Sequence, residues 1–352
     1  MKTVACVLIA FMGMLIAPCH AQLHYSSAIP WMPEFSGCYS PEPGRFWTCS
    51  DERSLGGGTN RNEIWKIDFN TGACVTTNQF SLELNDMEAI ASDGTGGFFV
   101  VTSQSLTSGL EWKTNRNNLT HFMSNGTVEA TATNVRGRMV SAFSFLGSYT
   151  NIQPKYGGLD VEGMAYNRAQ NRMWLGLRGP LVNASAPSNA GVYAVLLTMT
   201  NVLSSSNTFK ASTFGWETNL FLNLGGVGIR DLFYDADSTN LFILAGKTEA
   251  NSVYRDNVGS LITNTPACHV LAYDVATSNL TYCLKLPQVP DYWPDNPSRY
   301  SEAEGITVIV LSGQKKLLVT YDSKTNGIYQ ALDFPNPTKF AGPASREALS
   351  GM

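Results

Sequence analysis

Apolar residues in this chain come in short runs separated by polar turns, and the runs recur in a fixed order. In "NDMEAIASDGTGGFFVVTS" (85–103), "GGLDVEGMAYNRAQNRMWLGLRGP" (157–180), "GIRDLFYDADSTNLFILAGK" (228–247) and "SEAEGITVIVLSGQKKLLVTYDS" (301–323), an acidic residue leads into an apolar run, a turn and a second apolar run. "FSGCYSPEPGRFWTCSDE" (35–52) keeps that order without the leading acid. Short apolar runs bounded by Asp, Gly and Asn predict buried strands rather than helices. Each unit is followed by segments that alternate apolar and polar residues: "NEIWKIDFNTGACVTTNQF", "NNLTHFMSNGTVEATAT" and "HVLAYDVATSNLTYCLKL" turn at N-T-G, N-G and T-S-N, the composition of hairpins. In the third unit, "GVYAVLLTMTN" and a strand within "NTFKASTFGWE" take that place.

A unit of about four strands, repeated at a spacing somewhat above the ~40–50 residues of familiar propeller repeats, predicts an all-β chain folded as a β-propeller. Five units are recognisable, and the extra length falls in segments 136–158 and 251–266, where a divergent sixth blade would also fit. The last unit, ending at "GIYQALDF", is one strand short. "LHYSSAIPW" (23–31) can supply it and close the ring, which would leave no free sheet edge. A large β-sandwich is the competing architecture, but it has no need of a recurring unit. No helix longer than a turn or two is expected.

The chain ends refine this picture. Lys2, the apolar run Val4 to Pro18 and the small-residue exit at Ala21 have the parts of a secretory leader, with an apolar run too short to span a bilayer. The expected organisation is a leader over 1–21, a propeller over 22–335 and a tail over 336–352, in a protein exported to an extracellular or periplasmic space. Only 15% of residues are charged and the formal net charge is −4. No cluster of Lys and Arg marks a nucleic-acid surface or an anionic membrane, and no later stretch is apolar enough for insertion. Beyond the leader the cysteines are Cys38, Cys49, Cys74, Cys268 and Cys283. In an oxidising compartment a Cys268–Cys283 cross-hairpin bridge is expected first and Cys38–Cys49 next, leaving Cys74 free or exchanging partners. N-x-S/T sequons stand at Asn118, Asn125, Asn183 and Asn279, next to turns.

In a propeller the first strand of each blade lines the axis, so residues at the entrance of those strands converge. Asp86 and Glu88, Asp160 and Glu162, Asp231 beside Arg230, and Glu302 and Glu304 hold that place. Acids two residues apart lie on one face of a strand. Carboxylates aimed at one axis repel one another unless something positive intervenes. Arg178 and Arg230 are one compensator, as carboxylate partners; Ca²⁺, which takes six to eight oxygen ligands, is the other. Equally open is a structural role in which the acids cap backbone amides of neighbouring blades or pair with the arginines. His24, His121 and His269 lie outside the strand entrances and give little support to a histidine metal site or a Ser/His/Asp triad. "SLGGGTNRNE" lacks the lysine of a phosphate-binding loop. The tryptophans are read as core, with Trp112 and Trp293 as loop exceptions able to stack a sugar.

"LDVEGMAYN", "LGLRGP", "GIRDL" and "AEGI", in this order, resemble a family of secreted or periplasmic propellers known as a domain of unknown function, similar at a distance to esterase-like phytases. The resemblance covers roughly Phe35 to Phe334. It implies an acidic channel mouth at which Asp86, Glu88, Asp160, Glu162, Asp231, Glu302 and Glu304 carry metal. Glu162, Glu304, Arg178 and Arg230 would then serve hydrolysis of a phosphoester or ester, although few lysines stand near those strands. The expected ligand is small and anionic or polar. A binding or adhesion propeller using loops 105–118 and 286–299, with a structural ring of acids and arginines, is the alternative.

Overall fold

The computed structural model describes residues 24–25, 35–50, 63–247, 254–255, 261–262, 268–287, 289–290, 300–322 and 327–335. Five four-stranded antiparallel sheets form the blades. Blade 1 runs Cys38–Glu42, Arg45–Thr48, Glu63–Asp68, Cys74–Gln79, and blade 2 runs Met87–Ser92, Phe98–Thr102, Leu119–Phe122, Val128–Ala132. Blade 3 uses Asp160–Asn167, Arg172–Gly179, Ala194–Thr200 and Gly215–Leu222; blade 4 uses Gly228–Asp235, Asn240–Gly246, His269–Asp274 and Leu280–Lys285. Blade 5 takes Ala303–Leu311, Gln314–Tyr321 and Ile328–Asp333 from the end of the chain, and its outer strand, His24–Tyr25, from the beginning. His24 pairs with Tyr329 and Tyr25 with Ile328, so the N-terminal strand closes the ring as the missing strand of the last unit predicts.

The first strand of each blade touches those of its two neighbours, which puts these five strands around the axis. Each is flanked by a blade on either side, and this explains runs such as "DVEGMAYN", buried at every position. The core is divided among the seams. Phe35, Phe46, Ile309 and Leu318 fill the seam between blades 5 and 1. Trp47, Ile64, Phe98 and Phe122 fill the next, and comparable clusters occupy the other three. Where blade 3 meets blade 4 side chains of one blade press on the backbone of the other: a side chain on Gly176 would collide with that of Ile229. That approach explains a glycine inside a buried strand.

Segment 136–158 does not form a sixth blade. It folds as an α-helix, Val135–Ala142, followed by 3₁₀ turns at Ser144–Tyr149 and Pro154–Tyr156. The helix is eight residues long, about the longest the sequence pattern allows. The last strand of blade 3 starts at Gly215, so it shares only its first residues with the expected "NTFKASTFGWE". Segment 251–266 and the expected leader, tail, "SLGGGTNRNE" loop, Trp31 and Trp293 lie wholly or largely outside the described residues.

The expected disulfides are absent: none of the five cysteines among the described residues is in a disulfide. Register explains why. His269 faces Lys285 and Val270 faces Leu284, while Cys283 sits in a bulge opposite no residue of the partner strand. Cys268 lies beyond the ladder, its carbonyl accepting from the amide of Leu286. Cys38 pairs across with Thr48, one position short of Cys49, so the two thiols point to opposite faces of blade 1. Cys38 joins the seam to blade 5 and Cys49 the seam to blade 2. Among the sequons, Asn118 is 4% accessible, whereas Asn125, Asn183 and Asn279 are exposed.

Candidate functional site: an acid and arginine mouth on the axis

Four of the five inner strands carry the same irregularity at their entrance. The pairing register slips between Met87 and Ala89, between Val161 and Gly163, between Ile229 and Asp231, and between Ala303 and Gly305. The positions that the strand pairing skips are therefore Glu88, Glu162, Arg230 and Glu304. A bulge re-aims the side chain it isolates and is common beside functional sites. Blade 4 thus places an arginine where blades 2, 3 and 5 place a glutamate.

The contacts follow from that substitution. Arg230, 3% accessible, donates through Nη1 to Glu304 Oε1 at 2.6 Å, Glu304 Oε2 at 2.9 Å and Glu162 Oε2 at 3.1 Å, and through Nη2 to Glu302. Arg178 grips Asp160 Oδ2 from Nε at 2.9 Å and Nη2 at 2.6 Å, and reaches Glu162 Oε1 from Nη1 at 2.5 Å. Asp86, whose backbone takes a left-handed φ of 65° just before its strand, accepts from Arg116 Nη2 at 2.7 Å. Arg116 also donates to Ser105 Oγ and the Leu106 carbonyl. Arg116 and Ser105 carry no motif in the sequence; only the position of Arg116 between two strands of blade 2 brings it to the mouth.

Glu88, Asp160 and Glu162 each offer an oxygen, and these oxygens lie within 4.8 Å of one another. Asp160 and Glu162 are deeply buried and Glu88 is 9% accessible. Burial, with the charges of Glu162 and Asp86 added and Arg178 opposing, pushes the Asp160 carboxyl up to about 7. Burial likewise holds Glu304 well above the usual carboxylate range despite Arg230. Arg230 is raised above its ordinary value because Glu304, Glu162 and Glu302 outweigh the cost of its burial. Glu302 is the most open of the group, its side chain 28% accessible.

Asp231 is set apart. It lies one residue past the bulge, aligned with Ala89, Gly163 and Gly305 rather than with the acids. Its Oδ1 accepts from its neighbour Leu232 N and its Oδ2 from Ile306 N of blade 5, both at 2.8 Å, and Met164 N of blade 3 also serves it. Met164, Leu232 and Ile306 occupy equivalent positions, so this fully buried carboxylate ties three inner strands together by their amides. Burial pushes its pKa well up against those three N–H groups.

One histidine outside the mouth is also tightly held. His121 lies between Asp93 Oδ2, 3.1 Å from Nε2, and Glu129 Oε2, 2.6 Å from Nδ1. Both ring nitrogens face carboxylates, which only accept, so the ring is held as imidazolium. Burial alone would lower its pKa, but the two carboxylates raise it. Glu129 also accepts the amide of Phe209 from blade 3, which makes this cluster a clasp between blades.

Ring closure, seam-by-seam cores and a bulge-built mouth of carboxylates and arginines define a five-bladed β-propeller with a polar axial site. Residues 108–331 match a family described as a protein of unknown function (DUF3616), and the chain belongs to that family. No curated protein matches it. Solved structures that resemble it include a nidogen/laminin complex, at 11% identity over 82% of this chain and 73% of that one with a TM-score of 0.37. The Kuenenia stuttgartiensis hydrazine synthase is 9% identical over 79% of this chain and 61% of its own, TM-score 0.37. The major Malassezia sympodialis allergen Mala s 1 is 10% identical over 90% and 83%, TM-score 0.39. At these scores the likeness carries no functional information.

Proposed function

We propose that this chain is a ligand-binding propeller whose axial mouth holds a divalent cation, Ca²⁺ by the hardness of its donors, and uses it to fix a small anionic or polar ligand. The observation that supports this reading is the convergence of Glu88, Asp160 and Glu162 from two blades. The donor set fits: all three offer hard carboxylate oxygens, and these lie within 4.8 Å of one another. The acids Asp86, Glu88, Asp160, Glu162, Glu302 and Glu304 outnumber Arg116, Arg178 and Arg230 around them, and a cation would offset the excess.

A bound divalent ion supplies charge neutralisation and polarisation of a ligand oxygen. The chain's own groups hold and orient it, with Glu302 and Glu304 at the open side. Hydrolysis of a phosphoester or ester is a further step of the same reading, in which Glu162 or Glu304 takes a proton and Arg178 and Arg230 position these carboxylates. Elemental analysis of the purified protein, followed by calorimetry with Ca²⁺ on the wild type and on Glu162→Gln, tests the proposal. Near-stoichiometric metal lost in the variant supports it; no metal, with no heat on titration, overturns it.

A further inference from the structure

Two exposed aromatic rings stand on loops that adjoin the mouth. Trp112 is 42% accessible and Tyr156 is 68% accessible. The first loop leaves the strand Phe98–Thr102, whose last residue pairs with Met87, the neighbour of Glu88. The second runs through Leu159 directly into Asp160. The loops are tied to each other by Gln153, which donates to the Ser108 carbonyl. The first is braced internally by a pair of backbone and side-chain bonds between Thr107 and Glu111.

Each ring has a cation on one face. The Arg136 guanidinium lies 4.6 Å from the Trp112 ring centroid and the Lys155 ammonium 5.0 Å from that of Tyr156. Arg136 is 6% accessible; it donates to the carbonyls of Gln104, at 3.1 Å, and Thr150. Burial pulls its guanidinium down to about 10, which leaves it cationic at neutral pH. The indole is therefore clamped from below by a buried charge, and its orientation is set before any ligand arrives.

We infer that Trp112, backed by Arg136, is a stacking platform for a neutral sugar ring whose hydroxyls reach the adjoining carboxylate mouth. An aromatic face attracts C–H groups and cations through its negative quadrupole. Here one face already carries a cation, so a second on the opposite face is repelled, and a neutral flat ligand is favoured over an ammonium. Hydroxyl groups complete the match, since they donate to carboxylates and also serve as hard oxygen ligands for a divalent ion. The inference names the ligand class of the mouth and rests on the reading of that mouth as a binding site.

Tryptophan fluorescence and calorimetry of the full chain with a panel of neutral oligosaccharides (cello-, xylo-, manno- and chitohexaose) test it, with and without chelator. At least one should bind and shift the emission. Trp112→Ala should weaken that binding about tenfold or more and Trp112→Phe about threefold or less, as expected for loss and retention of a stacked ring. Because Trp112 is exposed, both variants should keep the wild-type melting temperature. Sugar binding that survives chelator and Glu162→Gln leaves the platform standing while the cation reading fails. Silence across the panel, binding unchanged in Trp112→Ala, or a preference for a protein over every glycan overturns the platform even if the metal is found.

Discussion

At the scale of single residues, Asp231 and Arg230 show how one step along a strand separates two roles. Arg230 is isolated by a bulge and turns into the mouth; Asp231 turns into the backbone of three blades. Asp231→Asn would set an amide donor against backbone donors, and a buried unsatisfied N–H costs about 1–3 kcal/mol. Urea unfolding should show a loss of that size while ligand and metal binding at the mouth persist. Arg230→Met strips a buried arginine that touches Glu162, Glu302 and Glu304, and breaking a buried pair costs about 3–5 kcal/mol. If the mouth accepts a divalent ion, millimolar Ca²⁺ should recover part of that loss in a thermal melt, and Mg²⁺, which resists dehydration, should recover less.

His121 gives the pH dependence at this scale. Its folded-state pKa is raised above the ordinary 6.5. Its contribution is therefore complete below the unfolded pKa and is lost as pH rises through the folded one. Unfolding free energy should fall as pH rises above the ordinary 6.5 and through the raised folded value in the wild type, and His121→Gln should flatten that part of the profile. An imidazole proton titration by NMR locates the folded value directly. Sequence reading set His121 aside because it lies outside the repeated strand entrances; Asp93 and Glu129, its partners, are brought to it by the hairpins of blade 2, which no local pattern of charge announces.

At the scale of elements, the recurring unit was readable because both halves of each hairpin are buried on two sides and are written as unbroken apolar runs. The D-x-E and E-x-E entrances were readable for the same reason, since charge stands out against such runs. The bulge was not. It depends on the register between two strands, and the sequence of either strand alone does not state it. The cysteine pairings failed on that same point: Cys268 and Cys283 flank a hairpin, but its register sets them apart, and Cys38 and Cys49 miss one another by a single position. Melting temperature should consequently be the same, to within about 1 °C, with and without reductant. A native disulfide would contribute ~2–5 kcal/mol, which a domain of this size registers as several degrees.

At the scale of the whole molecule, ring closure rests on a very short pairing of His24–Tyr25 with the strand Ile328–Asp333. The His24 ring packs 4.6 Å from Phe69 and 5.5 Å from Tyr329, so the closing strand is held by side chains as well as by its ladder. Removing residues through Tyr25 should uncover the edge of blade 5. The expected outcome is a lower melting temperature and concentration-dependent association by light scattering, because a bare strand edge templates pairing with another chain. The number of blades was legible from the count of units, and the closing device from the one strand missing at the end.

That same closure orders the life of the chain. On a ribosome the strand His24–Tyr25 emerges early, yet its partner, Ile328–Asp333, emerges only after every other blade has been made. Until then the early strand has nothing to pair with and blade 5 has no outer edge. The nascent ring is an open arc, and its last seam, between blades 5 and 1, can only shut after Ile328–Asp333 has been made. Such long-range pairing is slow to form, which makes the interval before closure the time at which this protein most needs protection from its own copies.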